Sequence, residues 1–313
     1  MTYLMLTAGL ILLVVGGELL VRGAVAVALR FGVPPMLIGL TLVGFGTSTP
    51  ELVTSLEAAI LGAPGIAIGN VVGSNTANIL LILGLSALIM PIAVARSVLK
   101  RDGSVVLLAA LACLGAVLIG EVGRVSGAIL LLLLVGYLVM TVRLQSTAAP
   151  SSANAEAALS VPPPAHRLGR GLLLALGGLV LTIAGADLLV GAAIELARDW
   201  RVAETVIGVT IVAVGTSLPE LVTSVTAAIR RQPDIAYGNI VGSNIFNVLG
   251  ILGITALVQP LEVPEEILRL DIWAMLGATA LLLWFSATGR RLSRPEGGVF
   301  LLAYAGYLGL LAV

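Results

Sequence analysis

The sequence predicts an all-α membrane protein with ten transmembrane helices, arranged as two inverted repeats of five helices each. Three observations lead to this prediction. The 313-residue chain is 58% hydrophobic and only 11% charged, with a mean hydropathy of +1.11. Apolar runs long enough to cross a hydrocarbon core about 30 Å thick recur along it. A long stretch of the first half also returns in the second half, without gaps.

Ten apolar runs account for most of the chain, and each is taken as one predicted span. The spans are residues 3–29, 35–61, 66–92, 104–120, 125–143, 169–195, 203–229, 235–259, 270–287 and 297–313. A lipid bilayer is therefore the expected surrounding, and the cell membrane the expected location. The zero net charge gives no indication of nucleic acid as a partner.

The distribution of basic residues predicts that both termini face outward, because cytoplasmic connections of membrane proteins are enriched in Lys and Arg. With the N-terminus outside, the inner connections hold Arg30, Arg96, Lys100, Arg101, Arg143, Arg167, Arg170, Arg230, Arg231, Arg290, Arg291 and Arg294. The outer connections hold only Arg124, Arg198, Arg201 and Arg269.

Five spans per half is an odd number, so the second half must enter the membrane in the opposite orientation. That arrangement is an inverted repeat, which many secondary transporters use. We assign residues 1–145 to the first repeat and residues 169–313 to the second. Residues 146–168 are rich in Ala, Ser and Pro, and they are predicted to form a disordered cytoplasmic linker.

The repeated stretch covers residues 38–84 and 207–253, and 30 of its 47 positions are identical. Each copy carries a Pro-Glu pair within an apolar run, Pro50-Glu51 in the first and Pro219-Glu220 in the second. Within a helix, proline leaves the carbonyl four residues earlier without its donor. In hydrocarbon a freed carbonyl needs another partner, and a cation is a suitable one.

Polar residues around each glutamate are spaced by three or four positions, which places them on one helix face. They are Thr47, Ser48, Glu51, Thr54 and Ser55, repeated as Thr216, Ser217, Glu220, Thr223 and Ser224. A carboxylate at mid-membrane costs at least ~2.5 kcal/mol, so such residues usually serve a transport pathway.

The next span of each half contains the motif Gly-Asn followed by Gly-Ser-Asn and a further Asn. In the first half these residues include Ser74 and Asn78, which lie four positions apart and face the same way; their copies are Ser243 and Asn247. Because Gly and Asn interrupt the apolar pattern, we expect a broken helix whose backbone lines a cavity.

Hydroxyl, amide, carbonyl and carboxylate oxygens without Cys or His favour Ca²⁺, Na⁺ or Mg²⁺ as the bound ion. Two glutamates neutralise one Ca²⁺, and a flexible site disfavours Mg²⁺, which requires a tight octahedron. We expect no cofactor.

The two stretches resemble the α-1 and α-2 repeats of the Ca²⁺:cation antiporter superfamily, most closely the small prokaryotic sodium/calcium exchangers. The resemblance rests on G-T-S-x-P-E-L followed by G-N-[VI]-V-G-S-N, present once in each half. It implies a central Ca²⁺ site carried by Glu51 and Glu220, and a gate formed by the first and sixth spans.

The resemblance also implies the remaining ligands. They are backbone oxygens of Thr47 and Thr216 at the central site, Asn78 and Asn247 completing the middle site, and flanking Na⁺ sites formed by Ser48, Ser74, Ser217, Ser243 and the backbone at Gly44 and Ala213. Several relatives have Asp at the position of Asn247, and its absence here disfavours K⁺ co-transport.

The sequence therefore predicts an antiporter, not an enzyme, that exports Ca²⁺ in exchange for Na⁺ by alternating access, with three Na⁺ per Ca²⁺. A Ca²⁺/H⁺ antiporter is the alternative, because two close glutamates can share a proton. An intramembrane hydrolase using Ser48 or Ser217 is a remote one, since no predicted span holds a His or Lys as base. The sequence leaves open whether Glu18 and Arg22 serve a gate or simply pair, and what Glu57 and Asp187 do.

Overall fold

The structure is a computed structural model that describes residues 1–30, 45–146 and 168–311, and this part of the chain is mostly helical. The first half contains α1 (Thr2–Arg30), α2 (Thr49–Ile60), α3 (Pro64–Ile89), β1 (Ile92–Ala93), α4 (Arg96–Leu118), β2 (Glu121–Val122) and α5 (Arg124–Ser146). The second half contains α6 (Leu168–Trp200), α7 (Glu204–Thr216), α8 (Leu218–Ile229), α9 (from Pro233 to Val258), β3 (Leu261–Glu262), α10 (Ile267–Gly289), β4 (Arg291–Leu292) and α11 (Arg294–Leu311).

Within the described residues, seven helices are long and apolar enough to cross a membrane, or eight when the bent pair α7 and α8 counts as one span. The predicted second and tenth spans are not among them. The second begins in residues 31–44, which lie outside the described part, as do residues 147–167 of the predicted linker. The count of ten therefore stays a prediction.

The described elements of the two halves follow the same order at the offset seen in the sequence, apart from α7, most of whose counterpart positions lie outside the described residues. Helices α2 and α8 correspond, as do α3 and α9. Both α3 and α9 contain a π-helical segment, Asn78–Leu83 in one and Asn247–Leu252 in the other. A π-segment inserts one wider turn into an α-helix, and such turns are frequent at functional sites.

Two short antiparallel strand pairs join the halves through their connecting loops. Strand β1 pairs with β4, and β2 pairs with β3. The first pair therefore brings together the loop after α3 and the loop after α10, while the second joins the loops after α4 and α9. Each pair links one half of the chain to the other.

Helices α1 and α6 pack against each other along a glycine seam, the close backbone contact at Gly9, Gly16, Gly178 and Gly185. A Cβ atom added at Gly16 would lie 2.6 Å from the backbone nitrogen of Thr182, and one at Gly178 would lie 2.3 Å from that of Leu20. Cβ atoms added at Gly9 and Gly185 would lie 2.8 and 2.7 Å, respectively, from main-chain atoms of the opposite helix. Small residues permit this kind of contact between membrane helices.

The break in helical structure is not where the sequence analysis placed it. Helix α3 continues through Gly73, Ser74 and Asn75 without interruption, so the expected broken helix is wrong there. The described chain breaks instead just before Pro219-Glu220, where α7 and α8 meet at Ser217 with a bend of 49°. In the first half, α2 begins at Thr49, immediately before Pro50-Glu51. Proline is well tolerated in the first turn of a helix, where its missing N–H has no partner to lose.

Candidate ion-binding site

The helix breaks place both glutamates in the first turn of a helix. Ser48 precedes α2 and Ser217 precedes α8, and Glu51 and Glu220 follow three residues later. Both carboxylates are fully buried. A helix N-terminus carries partial positive charge, so this position favours a negative side chain that has been removed from water.

Each glutamate receives a hydrogen bond from the other half of the chain. The Ser217 hydroxyl donates to Oε1 of Glu51 at 2.9 Å, and the Ser48 hydroxyl donates to Oε1 of Glu220 at 2.7 Å. The Ser243 hydroxyl also donates to Oε1 of Glu220, at 3.3 Å. Each serine lies three residues before the glutamate of its own half but bonds to the glutamate of the other half. The two crossed bonds therefore hold both carboxylates in one cluster.

The helices around the glutamates also carry buried side-chain oxygen atoms that have no hydrogen-bond partner among the described residues. Besides the hydroxyls of Thr47 and Thr54, they are Oε2 of Glu51, Oε2 of Glu220, Oδ1 of Asn78 and Oδ1 of Asn247. Buried polar atoms are usually hydrogen-bonded, and leaving one unpaired costs about 1–3 kcal/mol. Four unpaired acceptors from equivalent positions of both halves indicate a place for a positively charged ligand.

A main-chain carbonyl in the last turn of α7, that of Ala213, also lies in this region. The carbonyl of Ala213 accepts from the hydroxyls of Ser74 and Thr216, each at 3.3 Å. It also accepts from the backbone N–H of Ser217 at 3.1 Å. This carbonyl, which the resemblance assigned to a Na⁺ site, thus lies beside the hydroxyl of Ser74 from the opposite half.

Asn70 and Asn239 donate hydrogen bonds to the helices that carry the glutamates. The Asn70 amide donates to the main-chain oxygen of Glu51 at 3.1 Å and to the Ser55 hydroxyl at 2.9 Å. Asn239 donates to the equivalent groups of Glu220 and Ser224 at 3.4 and 3.0 Å. Asn70 and Asn239 were outside the predicted ligand set, although their equal spacing from the glutamates, 19 residues in both halves, signals this role.

The structure brings together most of the residues predicted for the site. Those that are described and buried are Ser48, Glu51, Ser74, Asn78, Ala213, Thr216, Ser217, Glu220, Ser243 and Asn247. Thr47 adjoins Ser48 and is partly buried. Gly44 lies outside the described residues. Glu18 and Arg22 form an exposed i,i+4 ion pair within α1.

Comparison with known proteins follows the same division of the chain. A family model described as "Sodium/calcium exchanger protein" matches residues 1–143 and 170–313. The CaxA protein of Alkalimonas amylolytica is 39% identical over 97% of this chain and 96% of its own length. The sodium/calcium exchanger MaX1 of Methanosarcina acetivorans is 35% identical over 99% of this chain and 98% of its own length.

A solved structure agrees with these matches. The sodium-calcium exchanger NCX_Mj, soaked with 10 mM Na⁺ and without Ca²⁺, is 34% identical and superposes with a TM-score of 0.66 over 98% of both chains. Together with the apolar helices described above, the matches identify this chain as a multi-span membrane protein.

Proposed function

Because the chain belongs to the sodium/calcium exchanger family, we propose that it exports Ca²⁺ across the cell membrane in exchange for Na⁺. Family membership supports cation and Ca²⁺ antiport, as opposed to enzymatic activity. The observation that carries the specific proposal is the pair of fully buried carboxylates, Glu51 and Glu220, each with one oxygen free of any donor in the described part of the chain.

We propose that Ca²⁺ binds between Glu51 and Glu220. Their two negative charges balance one divalent cation, and the free oxygens of Asn78 and Asn247 add neutral ligands from both halves. Backbone oxygens of Thr47 and Thr216 complete the six to eight oxygen ligands that Ca²⁺ prefers. No charged side chain beyond the two glutamates is required.

Na⁺ would occupy flanking positions that use the same carboxylates. The proposed ligands are the hydroxyls of Ser48, Ser74, Ser217 and Ser243 and the backbone oxygens of Gly44 and Ala213. Support comes from Ser48, Ser217 and Ser243, which already contact the glutamate oxygens. Since both ions need the same two charges, occupancy by one excludes the other, and this exclusion produces exchange in place of leak.

We propose a stoichiometry of three Na⁺ per Ca²⁺. A tenfold Na⁺ gradient provides ~1.4 kcal/mol per ion, so two Na⁺ would sustain only about a hundredfold Ca²⁺ gradient. A third Na⁺ makes the cycle electrogenic and adds ~2.3 kcal/mol per 100 mV. The total of about 6.4 kcal/mol supports a Ca²⁺ gradient above ~10⁴.

The proposed architecture is ten spans in two inverted repeats, residues 1–145 and 169–313, joined by the linker 146–168, with both termini outside. The crossed Ser-Glu bonds and the exchanged strand pairs support it, because each contact has a counterpart with the halves interchanged. Such reciprocity is what a two-fold axis between equivalent halves produces. The strand pair β1–β4 lies beside Arg96, Arg290, Arg291 and Arg294, as expected for the cytoplasmic side.

Calcium flux into liposomes tests the coupling ion. Purified protein is reconstituted into Na⁺-loaded vesicles, and ⁴⁵Ca²⁺ uptake is measured after dilution into Na⁺-free buffer. We expect uptake that requires the Na⁺ gradient and increases when an imposed potential draws positive charge outward. Uptake driven by a pH gradient alone would establish Ca²⁺/H⁺ exchange, and uptake indifferent to the potential would contradict the 3:1 ratio.

A further inference from the structure

Two asparagines outside the proposed ligand set form a closed ring of hydrogen bonds between α3 and α9. The Asn75 amide donates to the main-chain oxygen of Asn244, and the Asn244 amide donates to the main-chain oxygen of Asn75, each at 3.2 Å. Asn75 is 4% exposed and Asn244 is 2% exposed. These reciprocal bonds fix both side chains at the crossing of the two helices.

The side-chain oxygens of the same pair hold the neighbouring asparagines across the halves. Oδ1 of Asn75 accepts from the amide of Asn247, and Oδ1 of Asn244 accepts from the amide of Asn78, both at 3.0 Å. Asn75 of the first half therefore holds Asn247 of the second half, and Asn244 of the second half holds Asn78 of the first. We call these four residues the asparagine clasp.

The clasp determines which end of the Asn78 and Asn247 carboxamides is left without a hydrogen-bond partner. An asparagine side chain carries an oxygen acceptor and an NH₂ donor of similar shape, and a half-turn of the amide exchanges them. With the NH₂ groups of Asn78 and Asn247 engaged by the clasp, their Oδ1 atoms remain buried without a donor among the residues described. An unrestrained amide could present NH₂ there, and its partial positive charge would repel a cation.

Burial makes a purely structural explanation costly. Apolar side chains of similar shape could join α3 and α9 without desolvating four amides, and replacing both partners of a buried hydrogen bond in this way can be nearly neutral for stability. The polar groups of the clasp are used almost wholly on one another. Two side-chain oxygens of the clasp, Oδ1 of Asn78 and Oδ1 of Asn247, have no hydrogen-bond partner among the described residues.

We propose that Asn75 and Asn244 are positioning residues that orient Asn247 and Asn78, respectively, so that their carboxamide oxygens coordinate the transported Ca²⁺. This inference rests on the proposed function and deepens it, because it assigns the orientation of two Ca²⁺ ligands to hydrogen bonds between the halves. Asn75 and Asn244 do not themselves touch the ion.

A double-mutant cycle on the half-saturating Ca²⁺ concentration tests the clasp. We expect N75A and N247A each to raise that concentration about tenfold, and we expect N75A to lower the maximal exchange rate less than twofold. Because Asn75 acts through Asn247, the N75A/N247A double variant should be no worse than N247A alone. The N75A/N78A variant should multiply the two single effects, since those residues belong to different arms of the clasp.

Thr76→Val is the matched control. Thr76 adjoins Asn75 on the same helix, is equally buried, and donates only to the main-chain oxygen of Val72 in its own helix. We expect its half-saturating Ca²⁺ concentration to stay within about twofold of wild type. If N75A also stays within twofold, or if N75A and N247A multiply, the positioning role is contradicted.

The mirrored variant supplies an independent test should N75A fold poorly. N244A is predicted to couple with N78A and not with N247A, the reverse of the pattern for N75A. Coupling of both variants to both ligands would indicate general loosening of α3 and α9, and would overturn the proposal. Absence of Ca²⁺ flux in the wild-type protein is a separate outcome, which would overturn the proposed function and the clasp together.

Discussion

The two halves of the chain agree closely around Glu51 and Glu220 and differ away from them. Near the glutamates, the crossed serine bonds are equivalent in the two halves: Ser48 with Glu220 matches Ser217 with Glu51. The match is incomplete, because Ser243 donates to Glu220, whereas its counterpart Ser74 donates to Asn70 and to the main-chain oxygen of Ala213. Farther out, Asp102 of α4 forms a bidentate pair with Arg101. Its counterpart Asp271 in α10 follows a leucine, and among the described residues its carboxylate accepts only from the Tyr307 hydroxyl, at 2.7 Å.

A second difference lies immediately beside the site. Phe45 and Phe246 stack with ring centroids 4.5 Å apart and planes 10° from parallel. The corresponding positions of the opposite halves hold Val214 and Ala77, which cannot stack. The crossed serine–glutamate bonds are thus equivalent in the two halves, whereas the contacts of Ser74 and Ser243 and the Phe45–Phe246 stack are not.

The largest expected effect follows from the equivalence of the glutamates. Glu51→Gln and Glu220→Gln should each reduce ⁴⁵Ca²⁺ exchange by at least about a hundredfold, because each removes half of the charge that balances the ion. Glu57→Gln is the control, since the counterpart of Glu57 is Thr226 and symmetry assigns it no ligand role. Near-normal exchange in either of the first two variants would contradict the shared site.

The glycine seam should be nearly as sensitive, and equally so in both helices. Gly16→Val and Gly185→Val each place side-chain atoms into main-chain atoms of the partner helix, a strain of about 1–3 kcal/mol or more. We expect greatly reduced exchange and a lower melting temperature in detergent. Gly177→Val is the control, because a Cβ atom there meets nothing within 4 Å. Equal behaviour of Gly16→Val and Gly177→Val would show that close packing of the seam is unimportant.

Removing one crossed hydrogen bond should have an intermediate effect. Ser48→Ala and Ser217→Ala each delete one bond to a buried carboxylate, which is worth about 1.5–3 kcal/mol. We therefore expect the half-saturating Na⁺ concentration to rise about tenfold in both, as measured by Na⁺-dependent ⁴⁵Ca²⁺ release. Ser86→Ala serves as control, because its hydroxyl donates only within its own helix. A large effect in one serine variant and none in the other would show that the two sides of the site are not equivalent.

The smallest effect should appear where the halves differ. Asp102→Asn removes the bidentate partner of Arg101 and should lower the melting temperature by a few degrees. Asp271→Asn removes a buried carboxylate that has no basic partner in the described chain, and its amide oxygen can still accept from Tyr307. Its melting temperature should be unchanged or higher. Equal losses in the two variants would mean that the difference between the halves has no energetic consequence.

Much of the site was predictable because a charged residue in an apolar span is conspicuous. The sequence identified Glu51, Glu220 and the hydroxyls around them, and the structure places them together. The role of Asn75 was not predictable, since its partners belong to α9 in the other half of the chain. Sequence spacing reports neighbours within one helix, whereas the clasp depends on how two helices cross.

The local geometry of the helices was harder to predict. Proline at position 50 suggested a kink within a helix, but the described chain forms a turn at Ser48 and starts a new helix at Thr49. The two-residue strands have no periodicity to detect. The seven-residue spacing of Gly9, Gly16 and Gly23, by contrast, is visible in the sequence and indicates close helix packing.

The strand pairs at the loops have a consequence for how the molecule distributes its rigidity. Through these backbone hydrogen bonds, the ends of α3, α4, α9 and α10 are connected to loops of the opposite half. The four helices therefore form one connected frame. Helices α1 and α6 carry no such fastening in the described residues, and their tightest contact is with each other. A displacement of α1 and α6 as a unit would therefore leave both strand pairs intact.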